Sequence, residues 1–169
     1  FSSHTRVAFH PMFPSLFFTR SNLGLKQIDA LVIGNTRGPL YEQRRLLDKQ
    51  LSELTERYRV EFSHVLGTFP PNRELGVEQE DPSSGTKLRY LNKWSEYLGS
   101  AKYVVFGRVM KYPVLVGKYY EALGSGAIPI FPEVPDLKLL GIKPFEHYIP
   151  LSEVEGDNEK LAFYLDHYQ

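Results

Sequence analysis

Cysteine is absent from this chain, which excludes disulfides and thiolate metal sites. Net charge is absent too. Lys and Arg together number 20, and so do Asp and Glu, so nothing pulls the whole molecule toward nucleic-acid backbones or anionic lipid. Nucleic acid is therefore not an expected partner, although a local basic cluster could still bind one small anion. Long apolar runs are missing: Tyr103–Phe106 and Ala127–Phe131 fall far short of the roughly 20 residues that a membrane-spanning helix needs. The start, Phe1-Ser2-Ser3-His4-Thr5-Arg6, has neither an initiator Met nor a signal-like apolar core. A cytoplasmic location is the simpler default, and the chain is expected to be a fragment or a trimmed product. No Walker-type phosphate loop occurs. The histidines (His4, His10, His64, His147 and His167) lack helical i,i+4 metal spacing, so no metal is expected. The serines lack a nucleophile-elbow context, and no catalytic residue can be assigned.

What is present suits one folded domain spanning 1–169. The chain is 42% hydrophobic, with 11 Tyr and 11 Phe, ample material for a core and against disorder. Apolar patterning alternates between short strand-like runs and longer helical ones. Val7–Phe9 is a weak first strand. Ala30–Ile33, ended by Gly34-Asn35, reads as a strand buried on both faces. Pro39 opens a helix to about Arg57, with Leu47, Leu51, Leu54 and Tyr58 as its core stripe and Glu53–Arg57 as an exposed i,i+4 pair. Val60–Val65 alternates as a strand. A breaker-rich loop at 67–85 precedes a helix at about 86–98, whose apolar residues include Trp94 and Leu98. Tyr103–Phe106, a helix near Val114–Leu123, and Ala127–Phe131 follow. Pro129 suggests that the last of these is an edge strand or is entered at its start. A helical turn at Asp136–Leu140, a strand at His147–Leu151 and a helix at Asn158–Tyr168 complete the pattern.

Such alternation predicts an α/β fold: a Rossmann-like three-layer sandwich with a mostly parallel sheet of five or six strands and helices on both faces. Ligands of such sheets bind at the carboxyl ends of the strands, here Gly34-Asn35, the loop after Val65, Gly107-Arg108 and Phe131-Pro132.

The most informative segment is Lys118–Ile130, Lys-Tyr-Tyr-Glu-Ala-Leu-Gly-Ser-Gly-Ala-Ile-Pro-Ile. Glu121 stands in an otherwise apolar helix, one turn after Lys118. By spacing alone the two read first as a surface ion pair. A carboxylate there could also accept two hydroxyl hydrogen bonds, as a ribose diol offers. Gly124-Ser125-Gly126 closes a helix rather than opening one, against a dinucleotide fingerprint. The aromatics read as core, with Tyr112 and Tyr119 as alternative stacking surfaces for a base or sugar. Arg45 reads as surface and His147 as structural, while His10 could reach the crevice from a strand end.

This segment resembles the donor-binding helix of GT-B glycosyltransferases of the group-one type, whose pattern is K-Y-F-E-A-L-A-x-G-x-x-P. The similarity continues through Pro135-Asp136-Leu137, Leu140-Gly141 and Pro144–Ile149, and a looser one spans Asp29–Asn35 with Tyr41 and Arg44. It is closest over 118–150, looser over 29–46 and faint over 59–100. The resemblance implies the C-terminal donor domain of a hexosyltransferase-type enzyme of carbohydrate biosynthesis. Its donor would be a nucleotide diphosphate sugar, its acceptor a glycan, lipid or protein, and no further cofactor is implied. Glu121 would bind the ribose, and Gly34 and Asn35 would line the diphosphate loop. Lys118, Arg108 and Lys111 would neutralise phosphate, with Arg44 and Tyr112 at the same crevice. Many retaining relatives carry a second Glu where this chain has Pro113, which leaves the stereochemistry open. The acceptor site and any base would come from a separate N-terminal domain. A non-catalytic nucleotide-binding or protein-interaction module is the alternative, and a flavodoxin-like regulatory domain a third reading.

Overall fold

The computed structural model describes residues 26–37, 39–63, 94–108 and 115–167. The expected first strand at Val7–Phe9 and the loop at 67–85 lie outside them. So do Lys111, Tyr112, Pro113, His10 and the first part of the 86–98 helix.

Five strands form one sheet: β1 (Ile28–Ile33), β2 (Val60–Ser63), β3 (Ala101–Val105), β4 (Ile128–Phe131) and β5 (Ile149–Pro150). Their order is β2-β1-β3-β4-β5, and every neighbouring pair is parallel. Parallel neighbours cannot be joined by a tight hairpin, so the chain must cross over between them. The described helices lie in those crossovers and after the last strand: α1 (Glu42–Ser52, entered through a 3-10 turn at Pro39–Tyr41), α2 (94–99), α3 (Gly117–Gly124), α4 (Pro135–Leu139) and α5 (Asn158–Asp166).

The continuous apolar runs become the inner strands because both their faces are covered. On one face Ala30, Val32, Tyr103, Val105 and Ile130 pack with Leu47 and Leu51 of α1 and Leu161 and Leu165 of α5. On the other, Leu31, Ile33, Val104 and Phe131 pack with Leu98 of α2, Tyr119 and Ala122 of α3, and Leu137 of α4. The result is the predicted α/β sandwich, with five strands, all parallel.

Several boundaries differ from the sequence pattern. The α-helix that begins after Pro39 ends at Ser52, not near Arg57. The expected Glu53–Arg57 pair is replaced by contacts to α5. Asn158 donates to Glu53 at 2.8 Å, and Arg57 pairs with Asp166 at 2.5 Å. The last strand is only two residues long, Ile149–Pro150, and Phe145, four residues before it, has φ 62°. Pro129 lies inside the sheet rather than on an edge strand. It is tolerated because β4 begins only one residue earlier and β5 pairs only from Ile130 onward.

The amino-terminal ends of the strands are tied by charge. Lys26 Nζ donates to the carbonyls of Gly99, at 2.7 Å, and Gly126, at 3.0 Å, which close α2 and α3. Cations are favoured at helix C-termini, where free carbonyls concentrate negative potential. Asp29 accepts from Lys102 Nζ at 2.6 Å and from the Arg59 backbone N–H at 2.8 Å, joining β1 to β3 and β2.

Candidate functional site

From β1 the chain goes out to β2 on one side, and β3 lies on the other. The loops leaving β1 and β3 therefore diverge at their carboxyl ends, and a crevice at this reversal is the usual ligand position in open parallel sheets. Here the two loops are Gly34-Asn35 and Gly107-Arg108.

Arg44, in the first turn of α1, spans the reversal. Its Nε donates to the Gly107 carbonyl at 2.9 Å and its Nη1 to the Asn35 carbonyl at 3.0 Å, and its guanidinium carbon lies 5.0 Å from the Tyr41 ring centre. The residue is only 4% exposed. Both glycines lie close against this approach, and Gly34 is the more constrained. A Cβ at Gly107 would meet Arg44 Cγ at 3.0 Å. At Gly34, where φ is +123°, a Cβ would lie 2.6 Å from Lys118 Nζ and 2.9 Å from Arg44 Nη1. Asn35 turns its own loop: its Oδ1 accepts from the Arg37 N–H at 2.8 Å.

α3 splits its residues between core and crevice. Tyr119 and Ala122 are buried against the sheet. Tyr119 packs edge-on against Phe106 and Phe131 at 4.9 and 4.7 Å, and its hydroxyl donates to the Pro132 carbonyl at 3.2 Å. That placement makes Tyr119 core and removes it as a stacking surface. Lys118 and Glu121, one turn apart, occupy the other side. Burial, with Arg44 adding to it and Glu121 opposing it, lowers the Lys118 ammonium to a pKa of about 8. The helix starts after Val116 without a side-chain cap, so its first N–H groups and its positive dipole end lie beside Lys118.

Glu121 is half-buried. Its Oε2 accepts from Trp94 Nε1 at 3.2 Å. Burial raises its pKa, while the Trp94 hydrogen bond and the Lys118 charge pull it back.

Gly34, Asn35, Arg44 and Lys118 thus come together at the carboxyl end of β1, and Glu121 lies within electrostatic reach of Lys118. Arg108 is exposed and turns toward a neighbouring open cleft of about 910 Å³, which it lines with Glu133, Leu137, Lys138 and Tyr148. Its backbone N–H is held by Gln43 Oε1 at 2.7 Å. Lys111 and Tyr112 lie outside the described residues. His147 is exposed, and its Nδ1 accepts from the Lys143 N–H at 3.1 Å. Gly107 stands at one of the strand ends singled out from the sequence, whereas Trp94, which meets Glu121, was assigned there only to core. The single available signal was that Trp94 is the one tryptophan in the chain.

Chemically, two adjacent cations and an uncapped helix start suit an anion, and a carboxylate one turn away suits hydroxyls. Among the described residues, no group of three His, Asp or Glu is placed to hold a metal ion, and no helix is long and apolar enough to cross a membrane. No family profile, curated protein or solved structure matches the chain. What it shows by itself is an all-parallel, five-stranded, Rossmann-like α/β fold.

Proposed function

We propose that this chain is the donor-binding domain of a glycosyltransferase, which transfers a sugar from a nucleotide diphosphate sugar to a glycan, lipid or protein acceptor. One observation carries the reading: the Lys118 ammonium and the Arg44 guanidinium meet at Gly34, one helical turn from the Glu121 carboxylate. Breaking the glycosidic bond leaves negative charge on the diphosphate. Lys118 and the start of α3 stabilise that charge, and Arg44 holds the surrounding loops in place. Glu121 accepts the ribose hydroxyls. The acceptor and any base come from a separate domain, as the sequence resemblance implies.

Calorimetric titration of the chain with UDP, GDP and ADP tests the reading. One of them is expected to bind. Glu121→Ala should then cost about 1.5–3 kcal/mol, the range for a hydrogen bond to a charged group. Absence of binding, or equal binding by the variant, overturns it.

The second reading is a non-catalytic nucleotide-binding module. It is favoured by the 2-1-3-4-5 strand order, shared with flavodoxin-like sheets that hold their ligand at this same reversal. An α/β half encoded immediately upstream supports the transferase, and its absence supports the module.

A further inference from the structure

We infer that Trp94 is the positioning residue for Glu121: its indole N–H holds one carboxylate oxygen so that the other is presented to the hydroxyls of the ligand. The inference rests on the reading of Glu121 as the group that grips the ribose.

Three features carry it. The indole is fixed: Trp94 is 7% exposed, belongs to the core cluster under α2 and α3, and lies 6.0 Å from the Tyr97 ring at a tilt of 46°. Its one polar atom is directed at Glu121 across the gap between those two helices. An indole has a single donor and no charge. An Arg in its place could engage both carboxylate oxygens in a fork and compete with a ligand. Trp94 takes one oxygen and leaves the other, so it orients the carboxylate without neutralising it. A Glu side chain not held in this way would lose rotamer freedom on binding its ligand, and that loss would weaken binding.

A tryptophan that only filled the core would serve as well without its N–H. Benzothienylalanine has the same shape with sulfur in place of that group. Because Trp94 is the sole tryptophan, global incorporation changes this position alone. The replaced protein is titrated with a ribonucleoside diphosphate and with its 2′,3′-dideoxy analogue. The expected result is a roughly three- to tenfold loss of affinity for the ribonucleotide, under about twofold for the dideoxy analogue, and no further loss once Glu121→Gln is present. Trp94→Phe should show the same selectivity on top of a lower melting temperature. If Glu121→Gln weakens the ribonucleotide selectively while the sulfur isostere binds like the native protein, Trp94 is core alone and the inference is overturned. If Glu121→Gln does not distinguish the two nucleotides, the ribose reading itself fails and takes this inference with it.

Discussion

Lys118 and Arg44 approach the same glycine from different helices: a Cβ at Gly34 would meet Lys118 Nζ at 2.6 Å and Arg44 Nη1 at 2.9 Å. The first prediction follows from the difference between those two neighbours. In Gly34→Ala, the flexible end of Lys118 can swing away, but Arg44 is pinned by two carbonyls and cannot. The strain of φ +123° remains in either case. Urea unfolding should show a loss of about 1–3 kcal/mol, and nucleotide binding should fall further, because the displaced ammonium no longer faces the crevice. Native-like binding by a stable Gly34→Ala protein would contradict the proposed role of Lys118.

The second prediction concerns pH. Burial, then the charge of Arg44, lowers the Lys118 pKa to about 8 against an ordinary 10.5. Between those values the unfolded chain holds a proton that the folded one has released. The cost of burying this ammonium is therefore fully present below pH 8 and disappears as pH rises toward 10.5, so this group's contribution to stability improves over that window. Binding runs the opposite way. A phosphate ligand favours the charged form, so affinity should fall above pH 8, and binding there should take up a proton. Calorimetry in buffers of different ionisation enthalpy measures that uptake, and Lys118→Met should abolish it.

A third prediction separates the two ends of the sheet. Lys26→Met removes the donor shared by the Gly99 and Gly126 carbonyls. The unfolding free energy should drop by about 1–2 kcal/mol, with nucleotide affinity unchanged, because these carbonyls close α2 and α3 at the edge opposite the crevice. A matching loss of binding would mean that the two edges are not independent.

Asp29 supplies the fourth. Burial alone would raise its pKa, but the bond from Lys102, the Arg59 N–H and the nearby charges outweigh it, and the carboxyl is held below its ordinary value. Its stabilising contribution is therefore complete above the ordinary carboxylate range and is lost as pH falls through the lowered pKa. Asp29→Asn should be less stable at neutral pH, and its stability should fall less steeply than the native protein's on acidification. Chemical denaturation from pH 7 down to pH 3 measures both.

The sheet was legible because its strongest cues are local. Ala30–Ile33 and Tyr103–Phe106 are apolar without alternation, as strands covered on both faces must be, and Leu47, Leu51, Leu54 and Tyr58 keep a helical period. The loops of the crevice were legible for the same reason, since a glycine ends each strand. Other features depend on partners that lie far along the chain. Nothing near Glu53 or Arg57 shows that Asn158 and Asp166 will meet them, or that α1 ends at Ser52. Gln50 is polar, yet it is buried at the i+3 position beside the leucine stripe. Its amide donates to the Val154 carbonyl at 2.6 Å and accepts from the Gly156 N–H at 3.0 Å. Arg44 read as one more basic residue pointing at the crevice, yet two of its donors are committed to backbone. Periodicity reports which face a residue occupies, and it does not report which polar atom of another segment will meet it there.

The guanidinium of Arg44 also bears on how a guest would be received. Because it fastens the turn after β1 to the turn after β3, the walls of the crevice are set at a fixed spacing before anything arrives. Little entropy remains to be lost there on capture. Adjustment falls to the Lys118 side chain, so the speed of release should respond most to changes at that lysine or to those that displace it.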